Sequence, residues 1–214
     1  MRNISIALRI IYPIWALVGM FGILYVPSQL VVQGDPLSPA QNIEANELLF
    51  RAGIVGSLVT QLLFIVVVLL LYRLFEDVSK NQSLVMVVFS LVSVPISMLN
   101  SLNRIAALHE IHNLDQMMFF LNMNSEGITI ASIFWGLWLF PLGYLIYNSV
   151  YFPKFIGVMV LIGGVGYTIS SFTRILFPNQ ELLLTICEFM TMGEIIWILW
   201  LVIRGPKWPK QQII

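Results

Sequence analysis

The sequence predicts an all-α protein, a polytopic transmembrane bundle of about six helices joined by short loops. Three observations predict it. Of 214 residues, 58% are hydrophobic and 10% charged, whereas a soluble domain carries about 25% charged residues. Mean hydropathy is +0.88. Six apolar windows each approach the roughly 20 residues a helix needs to cross a bilayer: residues 6–26, 52–75, 83–107, 127–150, 155–177 and 182–204. These runs are continuous rather than alternating, which excludes the period-two pattern of a membrane β-barrel. No space remains for a separate soluble domain, so residues 1–214 read as a single integral membrane domain.

The first span follows Arg2 and Arg9. Its apolar stretch is longer than the core of a signal peptide, and no small-x-small cleavage site follows, so it reads as a retained helix. Residues 27–51 form the longest connection. Within it, Ser38-Pro39-Ala40-Gln41 has the form of a capping box, with Ser38 at the N-cap, Pro39 at N1 and Gln41 at N3. A short loop helix should start near Pro39 and run into the second span, carrying Glu44, Glu47 and Arg51. Glu47 and Arg51 are spaced i, i+4 on one face.

In the third span Ser90, Ser93, Ser97, Asn100, Ser101 and Arg104 fall on one stripe at the helical period, and Pro95 is expected to kink the helix. A polar, Met-rich loop over 108–126 follows (His109, Glu110, His112, Asp115, Met117, Met118, Met123 and Asn124), and Glu126 opens the fourth span. Gly163, Tyr167, Ser170 and Arg174 share a face of the fifth span; Glu181, Thr185 and Glu188 share one of the sixth. Glu194 falls near the membrane midplane on another face of that last helix, close to Thr191 and Cys187. The third and fifth spans end alike, in Asn100-Ser101-Leu102-Asn103-Arg104-Ile105 and Ser170-Ser171-Phe172-Thr173-Arg174-Ile175. That echo suggests a repeat of helical hairpins, although six positions are few.

Basic residues orient the bundle. With both termini cytoplasmic, Arg2, Arg9, Arg73, Lys80, Lys154, Arg204, Lys207 and Lys210 lie inside, and only Arg51, Arg104 and Arg174 lie outside. Every lysine is then inside, and Tyr72, Tyr147, Tyr151 and Trp208 become inner interfacial anchors. The expected location is the plasma (inner) membrane of a bacterium, multi-pass. Membrane lipids are the expected partners, and a homo-oligomer is compatible with the sequence. Zero formal net charge and the lack of a basic stripe exclude nucleic acid. Cys187 stands alone, so no intramolecular disulfide is expected, and it reads as a small buried hydrophobe.

The three outer arginines are the informative exceptions. Cations beside hydrocarbon need partners. Arg51, Arg104 and Arg174, with Glu47, Glu126, Glu181 and Glu188, all fall in the outer half. A ligand-binding set of Arg104, Arg174, Glu188, Arg51, Glu47, Asn100, Ser97 and Glu126 would form an outward-facing polar pocket, because guanidinium forks suit carboxylates and phosphates. The same residues also read as structural ion pairs with serine-mediated helix packing. Glu194 is a candidate proton carrier, or a neutral acid hydrogen-bonded to a neighbouring helix. His109-Glu110-Ile111-His112 lacks the His-Glu-x-x-His spacing, so no metal is expected. No phosphate loop, nucleophile elbow or cysteine pair appears, and no cofactor is expected.

Gly34-Asp35 followed by Asn42-Ile43, then Glu47-Leu48-Leu49-Phe50-Arg51-Ala52-Gly53-Ile54-Val55, resembles the first-loop signature of the bacterial membrane-protein family catalogued as domain of unknown function 4386. Leu71-Tyr72-Arg73-Leu74, Phe134-Trp135-Gly136-Leu137, Gly143-Tyr144-Leu145-Ile146-Tyr147, Phe152-Pro153-Lys154-Phe155-Ile156-Gly157 and Gly166-Tyr167 are similar to it as well. The resemblance spans residues 6 to 205, and the His109–Asn124 loop departs from it. It implies a multi-helix inner-membrane protein and transfers no activity.

Three functions follow. The leading one is a non-enzymatic membrane protein holding a small anionic or lipid-like ligand: Arg104 and Arg174 grip the anion, Arg51 with Glu47 gate it, and Glu188 is the counter-charge. The second is a small proton-coupled transporter using Glu194 and the serine stripe. The third is an intramembrane lipid-modifying enzyme with Glu126 or Glu188 as base. Histidine is the commonest base, and both histidines lie off the polar faces, which argues against the third.

Overall fold

The computed structural model describes residues 2–31 and 38–207. Gly34, Asp35, Trp208 and Lys210 lie outside the described residues, and so do the side chains of Arg2 and Ser38. Among the described residues all regular structure is helical. In chain order it comprises α1 (Arg2–Gly19), a π-helical turn (Met20–Tyr25), α2 (Val26–Leu30), α3 (Ser38–Ala45), α4 (Glu47–Phe75), α5 (Lys80–His109), α6 (Leu114–Leu137), α7 (Leu139–Asn148), α8 (Lys154–Leu176) and α9 (Glu181–Ile203). Six continuous helical stretches are long and apolar enough to cross a membrane: Asn3–Leu30, Glu47–Phe75, Lys80–His109, Leu114–Asn148, Lys154–Leu176 and Glu181–Ile203. Helix is the state these runs must adopt, because hydrocarbon offers no partner for a bare N–H or C=O. The chain is an all-α, multi-pass membrane protein.

Most spans extend past the apolar windows. The loop helix expected after Ser38 is α3, which a single turn residue, Asn46, separates from α4. The largest departure is α6, which starts at Leu114 rather than residue 127, so most of the expected 108–126 loop is helix. Its start has a local cause: the Asn113 side-chain oxygen accepts the Gln116 N–H at 3.4 Å, an N-cap bond. Asn113 is followed three residues later by Gln116, a capping pattern. Met117 is fully buried, and Leu114, Met118, Phe120 and Leu121 pack on the same cluster. Glu126 therefore lies within α6 rather than opening it. Pro141 divides α6 from α7, since its ring removes one N–H and crowds the carbonyl four residues back. α5 continues through Pro95.

The chain forms two compact units. One contains Met1–Pro13, Ile65–Ser93 and Ser132–Ile214; the other contains Ile14–Phe64 and Val94–Ala131. In the first unit α7, α8 and α9 pack backbone to backbone. A Cβ on Gly157 would meet the Gly143 carbonyl oxygen at 2.7 Å, and one on Gly193 would overlap the Met159 carbonyl oxygen. Close approach through small residues is how helices associate where lipid removes the hydrophobic drive. Arg9 of α1 donates from Nε and Nη2 to the Val202 carbonyl at 3.1 and 2.9 Å, satisfying an end of α9 that has no intrahelical partner. In the second unit Val26, Leu30, Ile43, Phe50, Ile54, Ala107, Leu108 and Met117 form the core.

Candidate functional site

Arg104 is the centre of the polar chemistry in the second unit. It projects from α5 and is 5% exposed. Its Nη1 donates to the Gly22 carbonyl at 2.9 Å, to Ser57 Oγ at 3.1 Å and, at a long 3.5 Å, to the Gly53 carbonyl. The guanidinium carbon lies 5.1 Å from the centroid of the Phe50 ring, a cation–π distance. Nη2 is buried with no hydrogen-bond partner. Among the described residues no carboxylate lies within ion-pair distance of Arg104; the ion pairs are Arg51–Glu47 and Arg174–Glu188.

The sequence provides this seat through a break in α1. Within the π turn, the Val26 N–H bonds to the Phe21 carbonyl, five residues back. The corresponding donor for Gly22 would be residue 27, and Pro27 has no N–H. The Gly22 carbonyl is thus left for Arg104. Glycine is required on both sides of the contact: a Cβ on Gly22 would stand 2.6 Å from the Ser57 backbone nitrogen, and one on Gly53 would stand 2.9 Å from Arg104 Nη2.

Other polar atoms extend the seat along both helices. On α4, Gly53, Ser57 and Gln61 recur every four residues, on one face. Gln61 is 4% exposed, and its Oε1 is buried with no hydrogen-bond partner. On α5, Ser97 lies two turns before Arg104, and its Oγ is also buried and unpartnered. Ser101 donates to the Ser97 carbonyl at 3.3 Å.

The remaining predicted residues fall elsewhere. Asn100 clasps α5 to α6: its Nδ2 donates to the Asn124 carbonyl at 2.9 Å, and Asn124 Nδ2 returns a bond to the Asn100 carbonyl at 3.3 Å. Gly127 lies against Asn100 with no space for a Cβ. Glu126 is exposed. Arg51 Nε donates to Glu47 Oε1 at 2.7 Å on the exposed face of α4. In the first unit Arg174 Nη2 donates to Glu188 Oε1 at 2.8 Å, joining α8 to α9, and both side chains are about half exposed. Ser90 and Ser93 bond carbonyls of their own helix, at 2.8 and 2.7 Å. Glu194 of α9 is half-buried, with its carboxyl group hydrogen-bonded to the Tyr167 hydroxyl of α8. Among the described residues no cluster of three or more His, Cys, Asp or Glu forms a metal site; Cys187 is a buried free thiol.

Gly22, Ser57 and Gln61 were not legible as site residues from composition. The signal that marks Ser57 and Gln61 is their four-residue spacing from Gly53 within a mostly aliphatic span. Gly22 required knowing that Pro27 withholds a donor five residues on.

Among proteins of known sequence, an uncharacterized protein of Archaeoglobus fulgidus is 34% identical over 154 residues, covering 72% of this chain and 84% of that relative. No solved structure matches the fold. Residues 10–205 match a family described as Domain of unknown function (DUF4386), and the chain belongs to that family.

Proposed function

We propose that the protein binds a small anionic or lipid-like molecule, and that Arg104 receives its negative charge. One observation carries this reading. A full positive charge is buried within an apolar span with no carboxylate beside it among the described residues, and one face of its fork has no acceptor. Such a cation is costly in hydrocarbon, and a carboxylate or phosphate would satisfy the open N–H groups of the planar fork at two points. Carbonyl and hydroxyl acceptors on Nη1 orient the guanidinium but leave its charge in place. Nη2 has essentially no accessible surface here, so entry requires Arg104 to swing past Phe50 or the π turn to shift. Ser97 Oγ and Gln61 Oε1 offer further hydrogen bonds to a polar headgroup. By the bias of basic residues the site faces the outer side of a plasma membrane, with both termini cytoplasmic. Arg51–Glu47, in the same unit as Arg104, lies near the start of α4.

Native mass spectrometry of the protein released from mild detergent tests this, with phosphatidylglycerol and inorganic phosphate supplied as separate probes. Wild type should retain one of them, which also separates a lipid headgroup from a free anion. Arg104→Gln should lose it, and Arg104→Lys should hold it more weakly because a point charge replaces the fork. Circular dichroism confirms that each variant is folded. A folded Arg104→Gln that keeps the adduct, or a wild type that takes neither probe, overturns the assignment.

A further inference from the structure

Glu194 lies in the unit that does not contain Arg104, and anion binding makes no use of it. It falls about 20 Å along α9 from Glu181 and about 14 Å before Ile203, at a helical rise of about 1.5 Å per residue. The helices around it are locked. A Cβ on Gly166 would stand 2.7 Å from the Cys187 carbonyl oxygen, and Gly193 has no space for one against Met159. α8 and α9 therefore cannot part to admit bulk water at this level without losing their closest contact.

The neighbours of the carboxyl group are aromatic and uncharged. Tyr167 of α8 hydrogen-bonds it, and Tyr12 of α1, itself fully buried, lies within electrostatic range. Among the described residues, those two phenols are the titratable groups that act on Glu194 from other helices. Glu188, on α9 itself, is turned to Arg174. Trp197, fully buried, meets Tyr12 edge-on at 6.4 Å and Phe152 at 4.8 Å, while Trp135 meets Tyr167 edge-on at 6.5 Å. Among the described residues no Lys, Arg or His pairs with Glu194.

The identity of the partner decides what the acid can do. An arginine or lysine would fix the carboxylate as a permanent ion pair. A tyrosine hydroxyl donates to a carboxylate and equally donates to, or accepts from, a carboxylic acid, so it supports both forms. An intramembrane acid so placed is a functional candidate by default. A single carboxylate with no second acid is too poor a ligand set for a divalent metal. We propose that Glu194, with Tyr167 as its switching hydrogen-bond partner, is a proton-binding site within the membrane. Uptake places one proton from water on a carboxylate oxygen of Glu194, and release returns that proton to water. No electrons move, and Tyr167 keeps its own proton in both states.

Infrared difference spectroscopy of the full chain in lipid nanodiscs, taken across a pH series, tests this. The difference between wild type and Glu194→Gln subtracts the chain's other carboxyl groups. In that difference a carboxylic-acid C=O band should appear on acidification, vanish on alkalinisation and return on reversal. Tyr167→Phe keeps the acid and should shift the band by removing its hydrogen bond. Arg104→Gln should leave the band unchanged, so failure here and failure of the anion site are separable. A band that stays constant over the full pH range in which the protein is folded would make Glu194 a static structural acid and overturn the proposal. So would titrating bands that are the same in wild type and Glu194→Gln. Should Glu194→Gln not fold, an unshifted band in Tyr167→Phe overturns it alone.

Discussion

Arg104, Arg51 and Arg174 look alike in sequence, each at the end of a span beside hydrocarbon, yet they have different energetics. Arg51 and Arg174 are about half exposed and each meets a glutamate; exposed pairs of this kind contribute about 0–1 kcal/mol. Arg104 is buried and bonds two carbonyls and a hydroxyl. Removing it strands the Gly22 carbonyl, whose own helix offers it no partner, and an unmet buried polar group costs about 1–3 kcal/mol. Arg104→Met should therefore lower the thermal unfolding midpoint in detergent by several degrees, while Arg174→Gln and Arg51→Gln should each shift it little. Equal stability of Arg104→Met and wild type would show that the cation adds no net stability and is kept for another purpose. The sequence identified Arg104 and gave no hint of its acceptors. Carbonyl groups leave no residue-type signature, and the decisive residue, Pro27, acts by lacking a donor.

Between elements, the glycines decide how closely helices approach, and they are not equivalent. Gly22 would place a Cβ 2.6 Å from the Ser57 backbone nitrogen, and Gly193 would place one into the Met159 carbonyl. Neither obstacle is a flexible side chain. Gly163, by contrast, would meet nothing nearer than 3.6 Å. We expect Gly22→Ala and Gly193→Ala each to cost about 1–3 kcal/mol, the usual range for overpacking, and Gly163→Ala to be close to neutral. Thermal unfolding of the three variants side by side checks this, and a Gly163→Ala loss as large as the other two would contradict the contact geometry. Gly22→Ala should also weaken anion retention, because it separates the carbonyl from Arg104. The six apolar runs were legible because the solvent enforces helix over any long hydrophobic stretch. The start of α6 was not, because Met117, Phe119 and Phe120 were grouped with polar neighbours as a loop, whereas Asn113 caps the helix and Met117 packs into the core. Gly163-Gly164-Val165-Gly166 lies within α8, and which of its glycines is in tight contact depends on the helix each one faces.

For the molecule as a whole, Lys and Arg are distributed unevenly over the two sets of loops, eight against three. Translocating a lysine-rich loop is disfavoured, so this bias sets orientation for short connections. It bears directly on function, because it determines whether the Arg104 site meets the outside of the cell or the cytoplasm. Lys80 and His112 are both exposed and flank α5 at opposite ends, one in each set of loops. The chain has one native thiol, buried Cys187, so Cys187→Ala gives a background in which Lys80→Cys and His112→Cys can be labelled singly. With a membrane-impermeant maleimide on intact cells, His112→Cys should react and Lys80→Cys should react only after permeabilisation. The reverse pattern would put Arg104 near the cytoplasmic face, where the anion would be an intracellular one. Labelling of both sites from outside would be incompatible with α5 spanning the membrane once between them. Orientation is thus the step that decides from which side of the membrane the proposed anion would reach Arg104.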